Sequence, residues 1–131
     1  MGKNELFYPK EKVERGEKMK KLLLTLLVIM LAVMLLNAHP ASDVKVSFDK
    51  NTSILKVDFT HKVDNEASHF VYDVEVKLNS KKAIKQELLK QETKEGGSVL
   101  YKLIDAKAGD KIQVITDCNK GGKKSETLVV K

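Results

Sequence analysis

Phe70-Val71-Tyr72-Asp73-Val74-Glu75-Val76-Lys77-Leu78 decides the fold. Phe70, Tyr72, Val74, Val76 and Leu78 alternate with Val71, Asp73, Glu75 and Lys77, so an extended chain presents one apolar face and one mostly charged face. A helix would scatter the same residues around its surface. The period of two continues upstream, where Val44, Val46 and Phe48 alternate with Lys45 and Ser47. After a turn at Asp49-Lys50-Asn51-Thr52, Leu55, Val57 and Phe59 alternate with Lys56, Asp58 and Thr60. Downstream, Asn79-Ser80 turns the chain into a fourth strand near Ala83–Leu89, and Gly96-Gly97 opens a fifth at Ser98–Ile104. Ala108-Gly109-Asp110 turns into a sixth at Lys111–Asp117, and Gly121-Gly122 into a seventh at Lys124–Val130. Gln86–Leu89 suits a strand less well than its neighbours, and a helical turn is the alternative there. Short strands with turn signals every 8–12 residues or so make this an all-β chain, a seven-stranded antiparallel sandwich and most simply an immunoglobulin-like one. Its expected interior contains Val57, Phe59, Val74, Val76, Ile112 and Val114.

The chain ahead of this domain reads differently. Residues 22–36, LLLTLLVIMLAVMLL, carry no charge; Lys20-Lys21 precede them and Asn37-Ala38 follows. A basic start, a short apolar run and a small residue at the end make residues 19–38 a signal peptide. A permanent span needs ~20 apolar residues, so this run is short for an anchor; an uncleaved anchor is the runner-up, because Leu36 occupies the −3 position where a smaller residue is preferred. A buried core helix would need a polar face, which this run lacks. Residues 1–18 are a charged extension upstream of Met19, the expected start of translation. The domain at 39–131 is then exported, to the periplasm or the extracellular space, and touches a membrane only through residues 22–36 if these are retained.

The chain has 131 residues, enough for one small core, and 42% hydrophobic residues, too many for a disordered chain. Residues 39–131 hold 17 Lys, no Arg and 14 Asp+Glu. That small positive excess, without the Arg fork that reads guanine and clamps phosphate, argues against a nucleic-acid partner. No Gly-x-Ser-x-Gly or Walker pattern occurs. The chemistry rests on Cys118 and the histidines. A single Cys in an exported domain forms no internal disulfide. Cys118 follows Ile112, Val114 and Thr116 on one face of the sixth strand, beside Asn119-Lys120-Gly121-Gly122. It reads either as a small buried hydrophobe or as a ligand presented at a rim. His61 continues the Leu55-Val57-Phe59 face, and His69 precedes the third strand on the opposite parity to Phe70 and Tyr72. The short connection Lys62–Ser68 keeps both histidines at one end, and a sixth strand beside the third brings Cys118 to that end too. Two imidazoles and a thiolate at one rim suit a transition metal; ordinary surface histidines are the alternative.

His61-Lys62-Val63 followed by His69-Phe70-Val71-Tyr72-Asp73-Val74-Glu75-Val76 resembles the superoxide reductase pattern His-Pro-Met, His-Tyr-Ile, Ile-Glu-Leu. Cys118-Asn119-Lys120-Gly121-Gly122 resembles that family's Cys-Asn-x-His-Gly. The likeness to desulfoferrodoxin and neelaredoxin domains covers most of residues 39–131. It implies an immunoglobulin-like sandwich holding one non-haem iron, with four equatorial His nitrogens, an axial Cys sulfur and an open position where superoxide is reduced to peroxide. Carried over, it makes His61 and His69 equatorial ligands and Cys118 the axial thiolate. His39, in Ala38-His39-Pro40, stands about where a first His is expected, although the family's Glu-Lys-His-Val-Pro segment is absent. Gly121 replaces one ligand, and the His-to-His loop is two residues longer than usual. The site expected is therefore three His and one Cys, for iron, or else zinc or copper. The expected partner is superoxide or a small redox protein. Two other readings stand beside it. One is a binding module that has lost the metal. The other is an exported copper protein in which cleavage after Ala38 frees the His39 amine to chelate together with its imidazole.

Overall fold

The computed structural model describes residues 10–35 and 39–131, and the chain divides into two compact units at the 37/38 boundary. The first contains one helix, α1 (Lys10–Leu35), which runs without a break through Lys20-Lys21 into the apolar stretch. The large apolar side chains from Leu22 to Leu31 are more than half exposed. Among the described residues, no helix is long and apolar enough to cross a membrane. Leu36, Asn37 and Ala38, where cleavage is expected, lie outside the described residues.

The second unit has seven strands: β1 (Asp43–Asp49), β2 (Ile54–Thr60), β3 (Val71–Leu78), β4 (Lys81–Glu87), β5 (Gly96–Lys102), β6 (Lys111–Cys118) and β7 (Lys123–Val129). All pairings are antiparallel. They form two sheets, β1-β2-β5 and β4-β3-β6-β7. The expected interior is present: Val57, Val74, Val76, Ile112 and Val114 are fully buried and Phe59 nearly so, joined by Val44, Leu55, Val71 and Leu103. These residues come from both sheets, so the core lies between them and the strands' outer faces are left to Lys, Asp and Glu.

Three local features differ from the alternation read off the sequence. Asn79 and Ser80 both have positive φ (49° and 69°), so β3 turns into β4 over two residues, and β4 starts at Lys81 and ends at Glu87, ahead of Leu88 and Leu89. Gly96 and Gly97 lie inside β5, which ends at Lys102 and leaves Ile104 exposed. The cause is the close approach of β2. A Cβ on Gly96 would fall 2.0 Å from the Phe59 carbonyl oxygen, and one on Gly97 would fall 2.9 Å from the Phe59 ring. The third feature is a β-bulge. Val71 pairs with Cys118 and Asp73 with Asp117, so Tyr72 is an extra residue with no partner on β6. The bulge shifts the parity of everything before it. Val71 is fully buried, and Phe70 and Tyr72, expected on the apolar face with Val74, lie at intermediate exposure outside the core cluster. The Tyr72 hydroxyl instead donates to Asp117.

Candidate metal centre

The strand ends gather the four residues at one rim. His61 follows β2 and is fully buried, as its parity with Leu55, Val57 and Phe59 requires. His69 lies two residues before Val71, on the side the bulge turns inward. Its approach is built by Asn65, whose side-chain oxygen accepts the Ala67 and Ser68 N–H groups and whose carbonyl accepts the His69 N–H. Asn119 then ties this loop to the end of β6. Its Oδ1 accepts the Phe70 N–H at 2.9 Å, and its Nδ2 donates to the Ser68 carbonyl at 3.0 Å. Cys118, 3% exposed, ends β6. His39 is exposed on its segment ahead of β1, and Pro40 rests on Gly122.

His39, His61 and His69 offer ring nitrogens that all lie within 4.8 Å of one another. Their ring centroids are 4.8–4.9 Å apart at interplanar angles of 58–85°, two pairs edge to face and His39–His61 tilted, so none stack. The Cys118 Sγ stands outside this mutually close set and joins it through His69, whose Nε2 is 3.1 Å away. The Lys120 backbone N–H points at the same sulfur from 3.4 Å. Sequence reasoning named all four residues, and the fold brings them to one place.

The three imidazoles could hold a metal ion. Nitrogen ligands at ~2.1 Å from one ion lie at most about 4.2 Å apart, and a nitrogen and a sulfur at ~2.1 and ~2.3 Å at a right angle lie about 3.1 Å apart. The rings need only small shifts to meet the first limit, and the His69–Cys118 pair already meets the second. A further sign is at His61. Its Nδ1 is 2.9 Å from Gln91 Oε1 and its Nε2 is 3.2 Å from the His39 carbonyl oxygen. Both partners are acceptors, and a neutral imidazole carries one proton. One of the two contacts therefore needs a second positive centre, a proton or a metal ion. Burial, then the neighbouring His61 and His39 rings and Lys120, lower the His69 pKa below that of free imidazole, with Asp64 acting in the opposite sense. This keeps the His69 ring neutral and able to ligate.

Gln91 was missed by sequence reasoning. It sits in the loop after β4, whose backbone runs along the end of β2: His61 N–H donates to Glu95 and Val63 N–H to Lys94. A polar residue in a charged loop carries no pattern that foretells burial. Beside Cys118 lies an open depression of about 490 Å³ lined by Tyr72, Asp117, Cys118, Asn119, Lys120 and Gly121. No protein-family model matches this chain, and no curated protein matches it.

Proposed function

We propose that residues 39–131 form an exported, mononuclear non-haem iron domain of superoxide reductase type, with His39, His61, His69 and Cys118 as the ligands. The observation that carries this reading is the convergence of three imidazoles within 4.8 Å with a thiol 3.1 Å from one of them, at the end of a sandwich. The sheet order β1-β2-β5 against β4-β3-β6-β7 supports an immunoglobulin-like assignment. The apolar half of α1 behind Lys20-Lys21 supports a signal segment, cleaved or retained as an anchor.

Iron, when bound, supplies the one-electron Fe(II)/Fe(III) couple by which superoxide and two protons become hydrogen peroxide. Cys118 would hold the iron as a thiolate, the electron-rich donor of the set. His61, enclosed by the sandwich, anchors the inner side, and His39 closes the outer side. Lys62 and Lys120, exposed near the rim, attract the superoxide anion. A small redox partner returns the electron. Gly121, where the resemblance implies a fourth imidazole, leaves the set one nitrogen short, so iron is held more weakly and turnover is slower than a full set would give.

Metal analysis of anaerobically purified protein tests the proposal. Expected are one iron ion per chain and, after oxidation, a visible thiolate-to-Fe(III) band that Cys118→Ser abolishes. Zinc or copper with no such band favours a metal carrier. No bound metal favours the binding module. The copper reading built on a free His39 amine has less support, because His39 Nδ1, the ring nitrogen able to chelate with that amine, faces the Pro40 carbonyl at 3.2 Å.

A further inference from the structure

Gln91 is 1% exposed, and every polar atom of its side chain is engaged. Its Nε2 donates to the carbonyls of His61 and Thr93, both at 2.7 Å. Two carbonyl acceptors fix which end of the amide is nitrogen, because a reversed amide would set oxygen against oxygen twice. Oε1 is thereby aimed at His61 Nδ1, 2.9 Å away, with the Val71 N–H at a longer 3.4 Å. An acceptor held rigidly at that distance calls for a proton on Nδ1. The competing contact, His61 Nε2 to the His39 carbonyl, is longer at 3.2 Å and only part-buried, because its acceptor belongs to an exposed residue. A buried acceptor left unpaired costs more than one that water can satisfy. The single proton of neutral His61 therefore goes to Nδ1, and Nε2, on the His39 side of the ring, keeps its lone pair free.

We infer that Gln91 is a positioning residue that fixes the Nδ1–H tautomer of His61 and so presents Nε2 as the metal donor. This rests on the metal reading above and adds to it the atom that ligates and the group that selects it. Gln91 also ties the site to the fold. Through the His61 carbonyl it holds the end of β2, and through Thr93 it holds the turn that leads into β5. A partner that orients a ligating histidine through its second nitrogen contributes about 10–100-fold in metal affinity.

The test uses the full-length chain labelled with ¹⁵N-histidine, free of metal and at about pH 8, above the ~6.5 of free imidazole. Long-range ¹H–¹⁵N spectra report the tautomer, with the His61 signals identified by their loss in His61→Gln. Wild-type His61 is expected to carry its proton on Nδ1. In Gln91→Leu the proton moves to Nε2, and Co(II) affinity, read by its absorption bands, falls about 10–100-fold. The wild-type tautomer needs no substitution to be read, so it decides the inference even if Gln91→Leu folds poorly. Wild-type His61 protonated on Nε2 would overturn the inference, as would unchanged tautomer and cobalt affinity in a folded Gln91→Leu. A wild-type chain with Nδ1–H that takes up no cobalt would overturn the metal reading itself, and with it the purpose assigned to Gln91.

Discussion

Pro40 occupies the space that a side chain on Gly122 would fill. A Cβ there would lie 2.8 Å from both the Cδ and the N of Pro40, and Gly122 has φ +107°, where L residues are strained. Pro40 is the neighbour of His39, so this contact seats the one exposed histidine of the cluster, which comes from the segment ahead of β1. Gly122→Ala is expected to weaken metal uptake several-fold with a smaller effect on thermal stability, since the β6–β7 turn can shift while the core stays packed. Metal titration and a melting curve on the same variant separate the two effects. His69 gives a second prediction at this scale. Its pKa is lowered in the folded protein, chiefly by burial, so below about pH 6.5 the unfolded chain binds a proton there more readily than the folded one. The contribution is fully present above that pH and is lost as pH falls toward the lower folded value. Urea midpoints of the metal-free protein should decline on acidification below about pH 6.5, and His69→Gln should flatten that part of the curve.

At the scale of elements, the bulge on β3 and the bridge made by Asn119 fix the geometry of the site. Without the extra residue at Tyr72, Val71 would turn outward and His69 would lose its approach to Cys118. Asn119 crosses from the end of β6 to the loop before β3 with two side-chain hydrogen bonds, and its own N–H donates to the Phe70 carbonyl. Asn119→Ala should cost about 1–3 kcal/mol, since it strips partners from two backbone groups. It should also loosen the His69–Cys118 pair, seen as weaker cobalt binding in the same sample. Phe59 belongs to the packing between the sheets. Its ring lies against the backbone of Gly97, and Phe59→Ala should cost about 3–5 kcal/mol in chemical denaturation.

For the whole molecule, the division at the 37/38 boundary sets an expectation for truncation. The core cluster is built entirely from Ala41 and residues beyond it. A chain beginning at His39 should retain a β-rich circular dichroism spectrum and cooperative unfolding, while one begun at Asp43 should keep the sheets and lose the His39 ligand and its Pro40 seat. If the metal reading holds, removal of metal by a chelator should lower the melting temperature of the first chain more than that of the second, because a ligand that binds only the native state stabilises it in proportion to its affinity.

Strand number, the turn at Asn79-Ser80 and the buried row from Val57 to Val114 were legible in the sequence, because alternation is a local property and each strand carries its own copy of it. The candidate ligands were legible for a related reason: His61 keeps the parity of the strand before it, and Cys118 keeps that of Ile112, Val114 and Thr116. What the sequence could not convey is set by partners distant in the chain. The bulge at Tyr72 exists only because β6 offers one residue fewer than β3, so the inward turn of Val71 is invisible until the two strands are paired. Gly96 and Gly97 read locally as a turn, and only the approach of Phe59 from β2 makes them strand. Gln91 has no apolar period to mark it. Its burial follows from the carbonyls of His61 and Thr93, one of them thirty residues away, which its amide satisfies. Periodicity is written residue by residue, whereas register, close approach and the pairing of buried polar groups arise only when distant segments meet.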